Sequence, residues 1–270
     1  MQGRLLPRFR NRYQSHPLNY WQAEFFIARD LSFDRIEFIL DYNDYEQNPL
    51  MSVAGIEQIK SIISESGVEV KSVCADYFME APFHSTHQAK SEDVFIRLIE
   101  NAKELGVIDI VVPCVDHSSL KTSEDFDMFV SSINKALPLA HNAGVFINFE
   151  TDLAPKPFLS LLQRFESSNI KVNYDSGNSA AIGYDLEEEF DTYGGFISDL
   201  HIKDRVLGGG SVMLGTGNAE FDKLFRKLKG INFNGVITMQ ASRDDNYIKD
   251  LQRIKIQKEF LQSYIDKYLK

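Results

Sequence analysis

Residues 145–180, VFINFETDLAPKPFLSLLQRFESSNIKVNYDSGNSA, hold one full repeat of the architecture. VFINFE, Val145 to Glu150, is short, apolar and rich in β-branched and aromatic side chains, as expected of a strand covered on both faces. Pro155 stands where a first helical turn tolerates proline, and the segment behind it leads to a second run of the same kind, IKVNYD, Ile170 to Asp175. Strand, crossover helix and strand in that order is the unit of a parallel α/β sheet. Both runs end on a carboxylate.

The alternation extends in both directions. Upstream, strands are predicted at Phe33 to Leu40, Val68 to Ala75 and Asp109 to Val115; downstream, at Ile197 to Lys203 and Gly235 to Ala241. The remaining strand falls at Met1 to Leu6, short for a barrel strand. Between these runs the period becomes helical. Leu98, Ile99, Ala102 and Leu105 share a face before Gly106, a natural stop. Ser123 is placed as an N-cap with Glu124 and Asp125 behind it, and Phe126, Phe129, Val130, Ile133 and Leu137 form the inward stripe. Asp222 to Leu228 gives the helix before the last strand, and Tyr247 to Leu269 closes the ring. Eight units in 270 residues, with no linker or low-complexity tract, predict a single (β/α)8 TIM barrel of parallel strands spanning residues 1–270. An open doubly wound sheet would carry a Gly-rich turn after its first strand, and none is there.

Composition narrows the function. The chain is 43% hydrophobic with a formal charge of −10, which argues against a general nucleic-acid surface. Cys74 and Cys114 are the two cysteines, too few for a disulfide framework. With no signal-peptide pattern and no apolar run of about 20 residues, a soluble cytoplasmic protein without a membrane partner is expected. Its partner should be a small polar metabolite; a homo-oligomer is left open.

In an α/β barrel, chemistry sits where strands leave their C-terminal ends. Glu150 ends VFINFE, Asp175 ends IKVNYD, His201 lies in SDLHIKDR and Gln240 in VITMQASR, with separations of 25, 26 and 39 residues. Each separation is about one strand-helix unit, so the four side chains should share one rim. Such oxygen and nitrogen donors suit Mn2+, Mg2+, Co2+ or Zn2+. Each residue alone also reads as a capping group, and spacing leaves that reading beside the metal site.

Further groups surround these four. KDRVLGGGSVMLGTG holds five glycines from Gly208 to Gly217, with Lys203 and Arg205 just upstream. Its amides could cradle a phosphate and the segment could be a lid or hairpin, and the two uses are compatible because gating loops need glycine. The Arg205 guanidinium can grip a phosphate or diol through two parallel hydrogen bonds. Glu37, Asp76, Asp116 and His117 lie near strand ends as hydrogen-bonding candidates, and Arg4 could meet an anion. His84 and His87 are loop histidines that read more readily as surface. Trp21, Phe25 and Phe26 read as core, with sugar stacking as the other use.

NFETD, NYDSGNSA, LHIKDR and the strand before QASR resemble the xylose-isomerase-like barrels, which include ketose 3-epimerases, hydroxypyruvate isomerase, sugar-phosphate epimerases and inosose dehydratase; FDRIEFI matches their second strand. The resemblance implies a divalent metal held by Glu150, Asp175 and His201, with Gln240 in the place of the family's second glutamate. That pair of glutamates serves as acid and base on opposite faces of the sugar, so Glu150 is left as the assured proton carrier. TDLAPKP stands where the free-ketose epimerases carry an Asn-Arg element and a further Glu, which turns the expectation away from a free ketose. The implied function is a metal-dependent isomerase of a small sugar or sugar phosphate acting through an enediolate, with Glu37, Asp76, Lys203, Arg205 and Gln240 around the substrate. One carrier favours aldose-ketose isomerisation over 3-epimerisation, unless Asp76, Glu37 or a metal-held water supplies the missing acid. A keto-polyol dehydratase and a non-catalytic metabolite-binding barrel are the alternatives. Apurinic endonucleases share the barrel but need further histidine and acidic zinc ligands and a basic face.

Overall fold

The computed structural model describes every residue except Asp245. Strands β1 Arg35–Ile39, β2 Glu69–Cys74, β3 Asp109–Cys114, β4 Phe146–Thr151, β5 Ile170–Asp175 and β6 Ile197–Ile202 run in chain order. A short antiparallel ribbon follows, β7 Asp204–Arg205 with β8 Ser211–Val212, and then β9 Val236–Met239. β1 to β6 and β9 form one parallel sheet in the order β1-β2-β3-β4-β5-β6-β9. This is the TIM barrel the sequence predicts.

The first stave departs from expectation. Met1 to Leu6 forms no regular strand; Gln2 makes a single parallel bridge to Glu37. The Met1 carbonyl accepts from the Glu37 amide at 2.9 Å, and the Gln2 amide donates to the Met239 carbonyl at 3.4 Å. These two contacts span the gap between β1 and β9 and close the ring.

Helices α1 Gln22–Asp30, α2 Val53–Ser66, α3 Tyr77–Glu80, α4 Gln88–Leu105 and α5 Ser123–Ala143 surround the first half. In the second half lie α6 Pro155–Leu162, α7 Ser176–Ile182, α8 Leu186–Tyr193, α9 Phe221–Gly230 and α10 Tyr247–Tyr268. Each long helix covers the sheet with the stripe its period dictates: in α4 this is Val94, Phe95, Leu98, Ile99 and Ala102. Gly106 ends that helix in the left-handed region at φ 70°, where glycine carries no Cβ penalty. The cap of α5 is Thr122, one residue before the predicted Ser123. Its hydroxyl accepts from the Asp125 amide, and the Asp125 carboxylate accepts from the Thr122 amide, so the box closes at the Thr122 to Asp125 spacing. Trp21 and Phe25 are buried against Phe38, and Phe26 packs partly buried beside them, so these aromatics are core.

Candidate active site

The site is built from the C-terminal ends of β4, β5, β6 and β9. Asp175 closes β5 and caps α7 at once. Its Oδ1 accepts from the Gly177 and Asn178 amides at 2.9 and 2.8 Å, which leaves Oδ2 aimed into the barrel. Oδ2 is buried and lacks an aligned hydrogen-bond donor, with Lys203 Nζ 2.6 Å away. Capping and site roles are thus carried by opposite oxygens of one carboxylate.

His201, paired with Asp175 in the β5-β6 register, is wholly buried. Its Nε2 lies 2.8 Å from Glu37 Oε1, whose other oxygen accepts from Ser72 Oγ at 2.8 Å. Its Nδ1 faces the site, 3.1 Å from Glu150 Oε2, 3.9 Å from Asp175 Oδ2 and 2.9 Å from Gln240 Nε2. Glu150 is oriented by two amides: Asn178 donates to Oε1 at 2.7 Å and Asn173 to Oε2 at 3.1 Å. Glu150, Asp175 and His201 each offer one donor atom within 4.8 Å of the others.

The electrostatics follow from this crowding. Burial opposes charge on His201, but Glu37 and Glu150 outweigh it and raise the imidazole well above its ordinary range. Burial likewise works to raise Asp175, yet Lys203 and His201 hold it below the usual carboxylate range. The donor set fits a divalent ion. A buried carboxylate oxygen whose partner is the Lys203 ammonium, a second carboxylate and an imidazole nitrogen converge, and the far imidazole nitrogen rests on a carboxylate, the arrangement that orients ligating histidines. Gln240 presents its amide nitrogen to His201, while its Oε1 lies 3.5 Å from the Arg4 guanidinium. Rotating that amide would turn an oxygen toward the same point.

Above this cluster opens a cavity of about 440 Å³ whose walls include Glu150, Lys203, Arg205 and Gln240. Asp76 also lines it, as expected for a residue just past β2. Burial, with the charge of Asp41 second, raises the Asp76 carboxyl to about 6. Arg205 reaches Asn178 Oδ1 at 2.9 Å and the Gly209 carbonyl at 3.0 Å, tying the ribbon to the Glu150 shell. A hollow of about 290 Å³ opens at the other end of the barrel beneath Glu37. It touches none of Glu150, Asp175 or Gln240, and strand N-termini are the structural end of such barrels.

Other predicted positions fall elsewhere. Glu37 lies within the barrel below His201, with both carboxylate oxygens engaged, and does not line the upper cavity. A register shift between Ile36 and Glu37 in the β1-β2 pairing accompanies this depth. The glycine-rich segment folds as a hairpin, with β7 paired to β8, and part of its amide set is taken up within the chain. Asp204 Oδ2 accepts from the Gly215 and Gly217 amides at 2.9 and 2.8 Å, and its Oδ1 accepts from Ala219 at 2.9 Å. Asp116 lies on the cavity wall but is exposed; His117 is 82% exposed, 3.9 Å from Glu80, and His84 and His87 do not line the cavity. Arg4 is buried, bonding the Ala241 carbonyl at 2.8 Å and Gln14 at 3.0 Å.

Sequence reasoning passed over Asn173, Asn178, Arg12 and Gln14. Asn178 had a signal, since it follows the cap Asp175 by three residues and so sits on the first turn facing the rim. Arg12 and Gln14 reach the cavity on an irregular segment with no period to place them.

Comparison with known proteins agrees with this architecture. Residues 25–264 match the model of the xylose isomerase-like TIM barrels. SgbU of Haemophilus influenzae, provisionally named an L-ribulose-5-phosphate 3-epimerase, is 25% identical over 265 residues, covering 90% of this chain and 91% of that protein. The L-ribulose-5-phosphate 3-epimerase UlaE of Salmonella heidelberg is 23% identical over 241 residues, 84% of each chain. Among solved structures, a xylose isomerase-like barrel protein of Mycobacterium smegmatis in complex with magnesium superposes with a TM-score of 0.74 at 14% identity, covering 94% of this chain and 90% of that one. The chain belongs to the xylose isomerase-like TIM barrel family.

Proposed function

We propose that the protein is a divalent-metal-dependent 3-epimerase of a ketose phosphate. The observation that carries this reading is the convergence of Glu150, Asp175 and His201 beneath a cavity walled by Lys203 and Arg205. Relatives that span most of the chain are named as ribulose-phosphate 3-epimerases, which moves the choice from aldose-ketose isomerisation to epimerisation, itself an isomerase reaction.

Glu150, Asp175 and His201 would hold the ion, with Gln240 as a fourth oxygen donor. Bound there, it would offset the negative charge that develops on the substrate oxygens when the carbon beside the carbonyl loses its proton. Glu150, fixed by Asn173 and Asn178, takes that proton. Lys203 and Arg205 bind the phosphate end as side-chain cations, since the Gly215 and Gly217 amides are committed to Asp204 and the Gly208 and Gly209 amides to backbone carbonyls. No helix among the described residues is long and apolar enough to cross a membrane.

The test is a panel of ketopentose 5-phosphates and the matching free ketoses, with Mn2+ and without. Inversion at C3 of a phosphorylated ketose is expected, with Arg205→Ala raising KM for the phosphate ester far more than for the free sugar. Equal effects on both would remove the phosphate from the reading, and an aldose product would restore isomerisation.

A further inference from the structure

We propose that Asp76 is the second proton carrier of the site, serving the face of the reacting carbon opposite to Glu150. This rests on the epimerase reading. Inversion needs a group on each face that changes protonation state, and the amide of Gln240 cannot do so near neutral pH.

Asp76 and Glu150 line the same cavity from either side of one strand end. Asp76 follows β2 and Glu150 lies in β4, while Pro113 and Val115, at the end of β3, form the wall between them. A planar, deprotonated substrate standing on edge against that wall would present one face to each carboxyl. Asp76 is also held in place. Gln14 Nε2 donates to its Oδ2 at 2.9 Å, and Cys74 Sγ lies 3.1 Å from its Oδ1. Gln14 is itself fixed by Arg4, which reaches toward Gln240. This network runs from the amide that replaces the family's glutamate to the carboxyl that we assign in its stead.

The groups around Asp76 support a proton-holding role. Burial and the nearby Asp41 carboxylate raise it to about 6 against the Cys74 and Gln14 hydrogen bonds, which favour the carboxylate, so it keeps a proton where an ordinary aspartate has lost it. Asp116, another carboxylate on this wall, is exposed. Glu37 is buried beneath His201 and does not line this cavity.

The step balances within the two side chains. Glu150 as carboxylate takes the proton from C3, and the C–H electron pair passes into the adjacent carbonyl. Asp76 as acid then delivers a proton to the same carbon from the other face. Glu150 ends protonated and Asp76 ionised, and exchange with solvent restores both. In the reverse direction the roles interchange.

Asp76→Asn, Glu150→Gln and the native protein are to be compared in D2O with each C3 epimer of the phosphorylated ketose. The native protein is expected to place one deuterium at C3 of the product while early recovered substrate stays unlabelled. Asp76→Asn should lose inversion by about 100-fold or more, yet still exchange C3–H of the epimer whose hydrogen faces Glu150, and of that epimer alone. Glu150→Gln, compared at an Mn2+ concentration at which calorimetry shows the site filled because Glu150 is also a proposed ligand, should show the mirror pattern. Inversion by Asp76→Asn at a native rate, or equal loss of exchange for both epimers in folded Asp76→Asn, overturns the assignment. Should Asp76→Asn fail to fold, the native labelling decides: deuterium in recovered substrate as early as in product indicates a single carrier and sinks the proposal. A native protein with no action on any ketose phosphate fails the epimerase reading itself, and both fall.

Discussion

Glu37 does not line the upper cavity, yet its replacement should be felt at the proposed metal site. It and His201 both have fully buried side chains, and the 2.8 Å contact to Nε2 fixes the proton on that nitrogen and turns Nδ1 toward Glu150 and Asp175. Glu37→Gln keeps an acceptor for Nε2–H and a partner for Ser72 but removes the charge that makes the ring a stronger donor. Loss of such an outer partner weakens metal binding by about 10- to 100-fold, roughly 1.4 to 2.7 kcal/mol. Glu37→Ala also strands a buried N–H and opens a void, so it should cost about 3 to 5 kcal/mol of folding stability, read as a fall of about 10 °C in melting temperature. Mn2+ titration calorimetry and thermal melting separate the two variants. If Glu37→Gln folds normally and binds Mn2+ as tightly as the native protein, Glu37 does not orient His201 and the reasoning fails.

Two predictions concern the fold around the site. Burial raises Glu24 to about 7, against a backbone hydrogen bond from Leu5. A carboxyl raised in the folded state costs nothing below its unfolded pKa, and the penalty grows as pH rises through the folded one. Glu24→Gln keeps an acceptor for the Leu5 amide and should stabilise the protein by up to about 3 kcal/mol at pH 8, with the difference vanishing below pH 4; a constant difference across the range would point to packing. Asp204→Ala strips the partner from three loop amides, and should cost about 2 to 4 kcal/mol and raise amide exchange at Gly215, Gly217 and Ala219. Unchanged exchange there would show that the loop does not depend on Asp204.

The barrel was legible because parallel strands buried on both faces leave continuous apolar runs, and each run ends where chemistry is placed. Glu150, Asp175 and His201 are therefore visible from the ends of their strands. Depth along a strand is not written in such a run. Glu37 has the right residue type but sits mid-strand, below the imidazole and beside a register shift. The first stave was partly hidden, since a single bridge to Glu37 and one bond to Met239 carry no hydrophobic period. Glycine density suggested a phosphate cradle, but where loop amides point depends on a competing acceptor. Asp204, directly before Arg205, is that acceptor. Arg12 and Gln14 reach the rim through ring closure, a long-range event that a local pattern cannot report.

The central claim is that Glu150, Asp175 and His201 hold one divalent ion at which a ketose phosphate is inverted at C3. It is tested most directly by following C3 of a ketopentose 5-phosphate by NMR in D2O, with matched Mn2+ calorimetry on the native protein, Asp175→Ala and His201→Ala. The account predicts inversion by the native protein, and at least about tenfold weaker Mn2+ binding with loss of inversion in both variants. Native Mn2+ affinity in both variants, or inversion that persists in a chelator, would contradict it.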